Sequence, residues 1–169
     1  LISRYELGHK FEVEEDLNIV KYIQKKIGLF QREVISIFEP PDIIIEKLRK
    51  IKPFIIWSTP TMMHLIANEL EKRNNRVNIP LIFFMAETIS DNQIELFRNR
   101  LCKNFIDVYG MMESPCIGYS YNVTDYKNII VNSALVEVIN KRIFNNEEIG
   151  DVIVTNRYNS VMPFIRYST

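Results

Sequence analysis

LIFFMAETISDNQIELFRNRLCKNFIDVYG, residues Leu81 to Gly110, is the stretch on which the fold turns. Leu81 to Met85 is an uninterrupted apolar run of strand length, and Phe105 to Tyr109 returns as a second strand. Between them Ser90 and Gln93 have the spacing of a capping box, in front of a helix carrying Ile94, Phe97 and Leu101. Strand, helix and strand in this order predict a right-handed crossover and two parallel strands.

Upstream the same alternation repeats. Thr59 and Pro60 supply a cap and a first helical position for a helix running to about Arg73, and Asn74 with Asn75 marks the turn after it. Phe54 to Trp57 reads as the strand before that helix. Asp42 is placed to cap a short helix bearing Ile45, Leu48 and Ile51, which Pro53 ends; Val34 to Phe38 reads as a buried strand closed by Pro40 and Pro41. Further back, Val13, Leu17, Val20, Ile23 and Ile27 recur at helical steps on one face, with Gly28 as the stop. Downstream of Gly110 the pattern changes. Ala134 to Ile139, Asp151 to Thr155 and Pro163 to Tyr167 are strand-like runs without helices between them, and Asn145 to Glu148 is a polar turn. The expected architecture is α/β: a mainly parallel sheet with flanking helices over residues 1–115, then a β-rich subregion over 116–169, in one continuous unit.

Composition narrows the function classes. A chain of 169 residues that is 47% hydrophobic can bury one sizeable core. Its 21 basic and 21 acidic residues cancel, so no overall field draws it to nucleic acid or to an anionic membrane surface. The apolar runs fall far short of the ~20 residues a membrane-spanning helix needs. Cys102 and Cys116 form neither a disulfide framework nor a Cys-x-x-Cys motif, and no secretory signal opens the chain, so a soluble protein in the reducing cytoplasm is expected.

Open α/β sheets bind ligands outside the carboxyl ends of their strands, and Asp107-Val108-Tyr109-Gly110-Met111-Met112-Glu113-Ser114 sits at such an end. Tyr109 offers a flat face for a purine, Gly110 lets the backbone turn beside it, and Glu113 offers a hard oxygen ligand for magnesium on nucleotide phosphates. Tyr and Gly ending a strand also serve as core and turn, so spacing alone leaves both roles open. Trp57 is expected in the core or lining a pocket, and Arg166 facing either a phosphate or a carboxylate of the β layer. Cys116 has no second ligand at metal-site spacing, and His9 and His64 carry no catalytic pattern.

Tyr109-Gly110-x-x-Glu113 after a buried strand resembles the nucleotide motif of the adenylate-forming (AMP-binding) enzyme superfamily, and other segments point to its phenylacetate-CoA ligase family. Phe84-Met85-Ala86-Glu87-Thr88-Ile89 resembles that family's Gly-Gly-Glu-x-Leu turn, with Ala86 in place of a glycine. Gly150-Asp151-Val152-Ile153-Val154-Thr155 resembles Gly-Glu-Leu-Val-Val-Thr. Met162-Pro163-Phe164-Ile165-Arg166-Tyr167-Ser168-Thr169 resembles the start of Pro-x-x-Arg-Tyr-x-Thr-Gly-Asp. Lys52-Pro53 and Thr59-Pro60-Thr61 echo a Lys-Pro-strand-Pro-Ser pattern, so the similarity covers nearly the whole chain.

What the resemblance implies is an internal piece of a large adenylation domain. The adenine-contacting turn would fall at Ala86 and Glu87, the base-stacking aromatic at Tyr109 beside Gly110, and the magnesium-binding acid at Glu113. Met111 and Met112 would line the site and its acyl pocket. The implied activity is activation of a carboxylic acid with ATP and magnesium to an acyl-adenylate, with AMP as product and coenzyme A as the acyl acceptor, in a protein that leaves room for a homodimer. The phosphate loop, the Gly-Asp after Thr169 and the lysine-bearing lid domain of the family are not matched, and the expectation is that they belong to a longer parent. The alternative is a diverged relative, in capsular polysaccharide biosynthesis, that keeps the fold as a binding or assembly module.

Overall fold

The structure, a computed structural model, describes residues 2–3, 33–111, 113–122, 126–157 and 164–168. The helix expected over Val13–Ile27 and its stop at Gly28 lie outside them, as do His9, Met112, Met162, Pro163 and Thr169.

The main sheet runs in spatial order through β3 (Ile55–Ser58), β4 (Leu81–Met85), β5 (Phe105–Tyr109), β6 (Gly118–Tyr121) and β7 (Asn128–Ile129). Strands β3, β4 and β5 are parallel, with Ile56 beside Ile82 and Met85 beside Val108. Strands β6 and β7 add antiparallel, so this sheet is mixed and continues beyond residue 115. A short parallel pair, β1 (Ile2–Ser3) and β2 (Ile35–Ser36), puts β1 beside β3.

Among the described residues, three helices follow one another between parallel strands: α1 (Pro41–Ile51), α2 (Pro60–Lys72) and α3 (Asp91–Arg100). All three pack on one face of the sheet, burying Ile44, Ile45 and Leu48 from α1, Met63, Ile66 and Leu70 from α2 and Phe97 from α3. The strands meet them with Ile56, Ile82, Phe84 and Phe105, and Phe84 stacks on Phe97 at 5.0 Å and meets Phe105 edge-on at 5.6 Å. Each such ring removes apolar area worth roughly 2–3 kcal/mol from water. Among the described residues, no helix is long and apolar enough to cross a membrane.

The helix ends show which local signals operate. At α2, Thr59 accepts from the Met62 N–H and Pro60 occupies the first turn; at α3, Ser90 and Gln93 close the reciprocal capping box. Asp42 is not a cap. The helix α1 starts two residues earlier, at Pro41 after the cap position Pro40, with no side-chain cap, because proline has no N–H to satisfy and its φ is already helical; Asp42 sits inside the first turn, where its charge suits the helix dipole. Lys52, at φ 49°, ends α1 in the left-handed conformation with its N–H on the Leu48 carbonyl.

After β7 the chain builds a separate antiparallel sheet, β10-β9-β8, from β8 (Ala134–Phe144), β9 (Glu147–Asn156) and β10 (Tyr167–Ser168). Its hairpin turns on Asn145 and Asn146, both at positive φ (51° and 66°), the two-residue geometry that matches strand twist. This sheet rests on the main one through a second apolar cluster: Ile117, Ala134 and Val154, with Tyr109, Met111, Val136 and Val152 against them.

Candidate functional site

Because β3, β4 and β5 are parallel, their carboxyl ends share one edge, and the turns after Met85 and Tyr109 leave that edge from adjacent strands. The antiparallel pairing of Gly118 with Tyr109 turns the chain back at the same edge.

The turn after β4 is strained and tied down. Ala86 has φ 71°, in the left-handed region that costs an L-residue roughly 1–2 kcal/mol. Next to it, one Glu87 oxygen accepts from the Thr61 N–H at 2.8 Å and from the Thr61 hydroxyl at 2.5 Å. That N–H is an otherwise unused donor in the first turn of α2, where a carboxylate also meets the positive helix end. The Glu87 carboxylate is therefore committed to α2, and what this turn presents outward is its main chain.

The turn after β5 closes on itself. Met111 N–H donates to the Ser114 carbonyl at 3.0 Å, Ser114 N–H to the Met111 carbonyl at 3.1 Å, and Ile117 N–H to the Tyr109 carbonyl at 2.9 Å. A Cβ on Gly110 would stand 2.2 Å from the Pro115 carbonyl oxygen, so glycine is required here by close backbone approach. Tyr109 is half-buried and packs against the Ile117–Ala134–Val154 cluster together with Met111, which anchors one side of the ring. Tyr109 thus serves as a packing residue and Gly110 as a tight turn at this edge.

Two acids occur in this motif, and their surroundings separate them. Asp107 is buried within the sheet and ion-paired to Lys127, which also donates to Ser120 at 3.1 Å directly across the ladder. Glu113 is half-buried beyond the strand end: its carbonyl accepts from Asn156 Nδ2 at 2.9 Å, and its Oε1 accepts from the Tyr167 hydroxyl at 3.3 Å. No cation of the chain pairs with Glu113 among the described ion pairs. Among the described residues no three metal-binding side chains cluster. A single carboxylate at a strand end does suit magnesium carried in on phosphates, which takes one or two carboxylates and keeps other ligands from substrate and water.

Arg166 is engaged by a carboxylate rather than left for phosphate: its guanidinium pairs with Glu137 at 2.5 Å and its N–H donates to Thr155 Oγ1. Trp57 is not a core residue. It stands one position before the end of β3, on the face opposite the helices, stacked on Phe83 at 4.6 Å and 36% exposed. The buried Cys102 thiol is pushed up to about 12 by desolvation, which removes it as a nucleophile near neutral pH. A hollow of about 530 Å³ runs along α3 past Asp91, Arg98 and Asn122, and no candidate site residue lines it. The contacts made by Thr61, Asn156 and Tyr167 were not legible as such; Tyr167 and Thr61 lie in the family-like segments, but nothing local marks their partners.

No family model matches the chain. It is similar to phenylacetate-coenzyme A ligase of Pseudomonas putida, 23% identical over 135 residues, covering 74% of this chain and 30% of that ligase. In structure it is similar to a 2-hydroxyisobutyryl-CoA ligase in complex with 2-HIB-AMP and CoA, with a TM-score of 0.60, 16% identity, and 79% and 34% of the two chains covered. It is likewise similar to O-succinylbenzoate coenzyme A synthetase of Bacillus subtilis in complex with ATP and magnesium ion, with a TM-score of 0.53, 14% identity, and 86% and 31% covered. The chain thus spans about a third of the length of the ligases it matches. The resemblance to phenylacetate-CoA ligase holds in sequence, and the α/β fold is the one these adenylate-forming CoA ligases share over that part.

Proposed function

We propose that this chain forms part of the nucleotide and acyl site of an ATP-dependent carboxylic acid:thiol ligase. The observation that supports this most is the common edge: the Ala86–Glu87 turn and the Tyr109–Glu113 turn leave adjacent parallel strands at the same end. In this reading the main chain at Ala86–Glu87 meets the adenine edge, the Tyr109 ring walls the base, and Gly110 keeps the second turn tight enough to sit beside it. Glu113 is the ligand to magnesium on the phosphates, and Met111 contributes apolar lining for the acid.

The chemistry asked of such a site is positional and electrostatic. A substrate carboxylate oxygen attacks the α-phosphorus of ATP, a new P–O bond forms, and the bond to pyrophosphate breaks with its electron pair leaving on the pyrophosphate oxygen. Magnesium, when bound, offsets the charge that accumulates on the phosphate oxygens. The acyl-adenylate is then open to a thiol, for which coenzyme A is the acceptor in this reading, with AMP leaving. The residues described here hold the base and one side of the phosphates; Asp107, buried against Lys127, supports β5 without reaching the reactants.

The test is acid-dependent ATP–pyrophosphate exchange by the whole polypeptide that carries this chain, over a panel of aryl and alkyl carboxylic acids. Glu113→Gln keeps shape and removes charge, and should slow exchange on the order of a hundredfold, the scale of losing one preorganised charge-stabilising group. Exchange at the unmodified rate in Glu113→Gln would remove Glu113 from the site.

A further inference from the structure

Glu113 is held from outside its own turn. Asn156, at the end of β9 and 6% exposed, fixes the Glu113 carbonyl from one side, while the Tyr167 hydroxyl on β10 reaches Oε1 of the carboxylate. Both residues belong to the three-stranded sheet, not to the sheet that carries the motif. Strand β10 is itself located by pairing Tyr167 with Val154, by the Arg166 N–H on Thr155 and by the Arg166–Glu137 ion pair. The Tyr167 ring is steadied by an edge-on contact with Phe164 at 5.4 Å. The phenol is thus a placed donor rather than a loose surface group.

We propose that Tyr167 is a positioning residue for Glu113, fixing the carboxylate through Oε1 so that Oε2 is the oxygen offered to a nucleotide-borne magnesium ion. The inference rests on the reading of Glu113 given above. A free glutamate at a turn samples several rotamers, and each must be frozen when the ion arrives; a donor on one oxygen removes part of that cost beforehand. It also makes the residue a one-oxygen ligand, which suits the small, octahedral ion better than a chelating carboxylate would.

The test uses binding as well as rate. Tyr167→Phe keeps the ring and its contact with Phe164 and deletes the hydroxyl. Calorimetric titration of the whole polypeptide with a non-hydrolysable ATP analogue, with and without magnesium, should show the magnesium-dependent gain in affinity reduced roughly tenfold, the lower range for losing a residue that orients a metal ligand. Affinity without magnesium and the unfolding midpoint should stay as in the unsubstituted protein. In pyrophosphate exchange the half-saturating magnesium concentration should rise while KM for the acid holds. In a Glu113→Gln background Tyr167→Phe should add nothing. A Tyr167→Phe protein with wild-type magnesium dependence beside a defective Glu113→Gln would overturn this inference alone. An unaffected Glu113→Gln would sink the reading of Glu113 and this inference with it. A lowered midpoint with unchanged magnesium dependence would make Tyr167 a packing residue and overturn the inference too.

Discussion

The layer of β3, β4 and β5 with its helices buries Ile56, Ile82, Phe84 and Phe105 against Ile44, Met63, Ile66 and Phe97, whereas the β8–β10 sheet brings Ala134 and Val154 to a small cluster around Ile117. The first region is held by continuous apolar packing. The second leans on it through few buried groups and through the polar ties of Asn156 and Tyr167 to Glu113. Stability should therefore be concentrated in one region and the placement of the candidate acid in the other.

The largest expected effect tests that division directly. Phe84→Ala deletes a ring with no exposed surface that touches both Phe97 and Phe105, and should cost about 3–5 kcal/mol in the unfolding free energy. Val154→Ala in the smaller cluster should cost about 2 kcal/mol or less and, in native-state hydrogen exchange, loosen β8, β9 and β10 while leaving β4 and β5 protected. Equal global loss from the two substitutions would show a single cooperative core and break the comparison.

Gly110→Ala acts where the regions join. The added methyl would meet backbone at Pro115, which cannot rotate away as a side chain can, so the turn must open. The expected cost is about 1–3 kcal/mol by the scale for forced overpacking, with loss of nucleotide binding. A variant of unchanged midpoint and unchanged affinity for the ATP analogue would show that the close approach does not matter.

The ionisation of Cys102 at alkaline pH reports on the first region. The Cys102 thiol is raised from its ordinary 9.0 to about 12 chiefly by burial, against a smaller lowering from its hydrogen bond with the Asn104 backbone. Above pH 9 the unfolded chain ionises this thiol and the folded one does not, so its contribution is complete below pH 9 and is lost progressively as pH rises toward 12. Urea midpoints between pH 8 and pH 11 should fall less in Cys102→Ala than in the unsubstituted chain. An identical pH slope in the two proteins would place that thiol in a wetter site.

Much of the first region was legible because its signals are local. Thr59-Pro60 and Ser90…Gln93 announce helix starts within four residues, and Leu81–Met85 and Phe105–Tyr109 were bounded by apolar runs that coincide with β4 and β5. Where two local signals competed, at Pro41 and Asp42, the rigid proline won and the cap reading failed. Strands β6 and β7 carried no such pattern: Gly118-Tyr119-Ser120-Tyr121 is short and half polar, and Ser120 is buried because Lys127 and Asp107 satisfy its surroundings from elsewhere. The hairpin strands ran past their expected ends, to Phe144 and from Glu147, because a two-residue Asn-Asn turn lets the ladder continue to the tip. At the candidate site, the motif residues were legible by resemblance and their neighbours were not. Glu113 and Tyr167 lie 54 positions apart, and no periodicity joins residues on different sheets.

The smallest expected effect concerns Ala86, which stands in place of a glycine of the family-like turn. Ala86 follows β4 at φ 71°, and its Cβ crowds the backbone in that conformation at roughly 1–2 kcal/mol. Ala86→Gly would relieve this strain but enlarge the freedom of the unfolded chain, which costs about 0.4–1 kcal/mol. The difference runs from near zero to about 1.6 kcal/mol in favour of glycine, so the melting midpoint should rise slightly rather than fall, the opposite of the usual result for alanine to glycine. Because the Glu87 carboxylate stays on Thr61 and the turn keeps its shape, affinity for the ATP analogue should hold or improve. Ala86→Val takes the contrary path, since a β-branched side chain tolerates positive φ worse than alanine, and should lower both midpoint and affinity. If Ala86→Gly destabilised the protein as glycine does in an ordinary position, the left-handed turn after β4 would be absent in solution, and the main-chain face offered to the adenine edge would be lost with it.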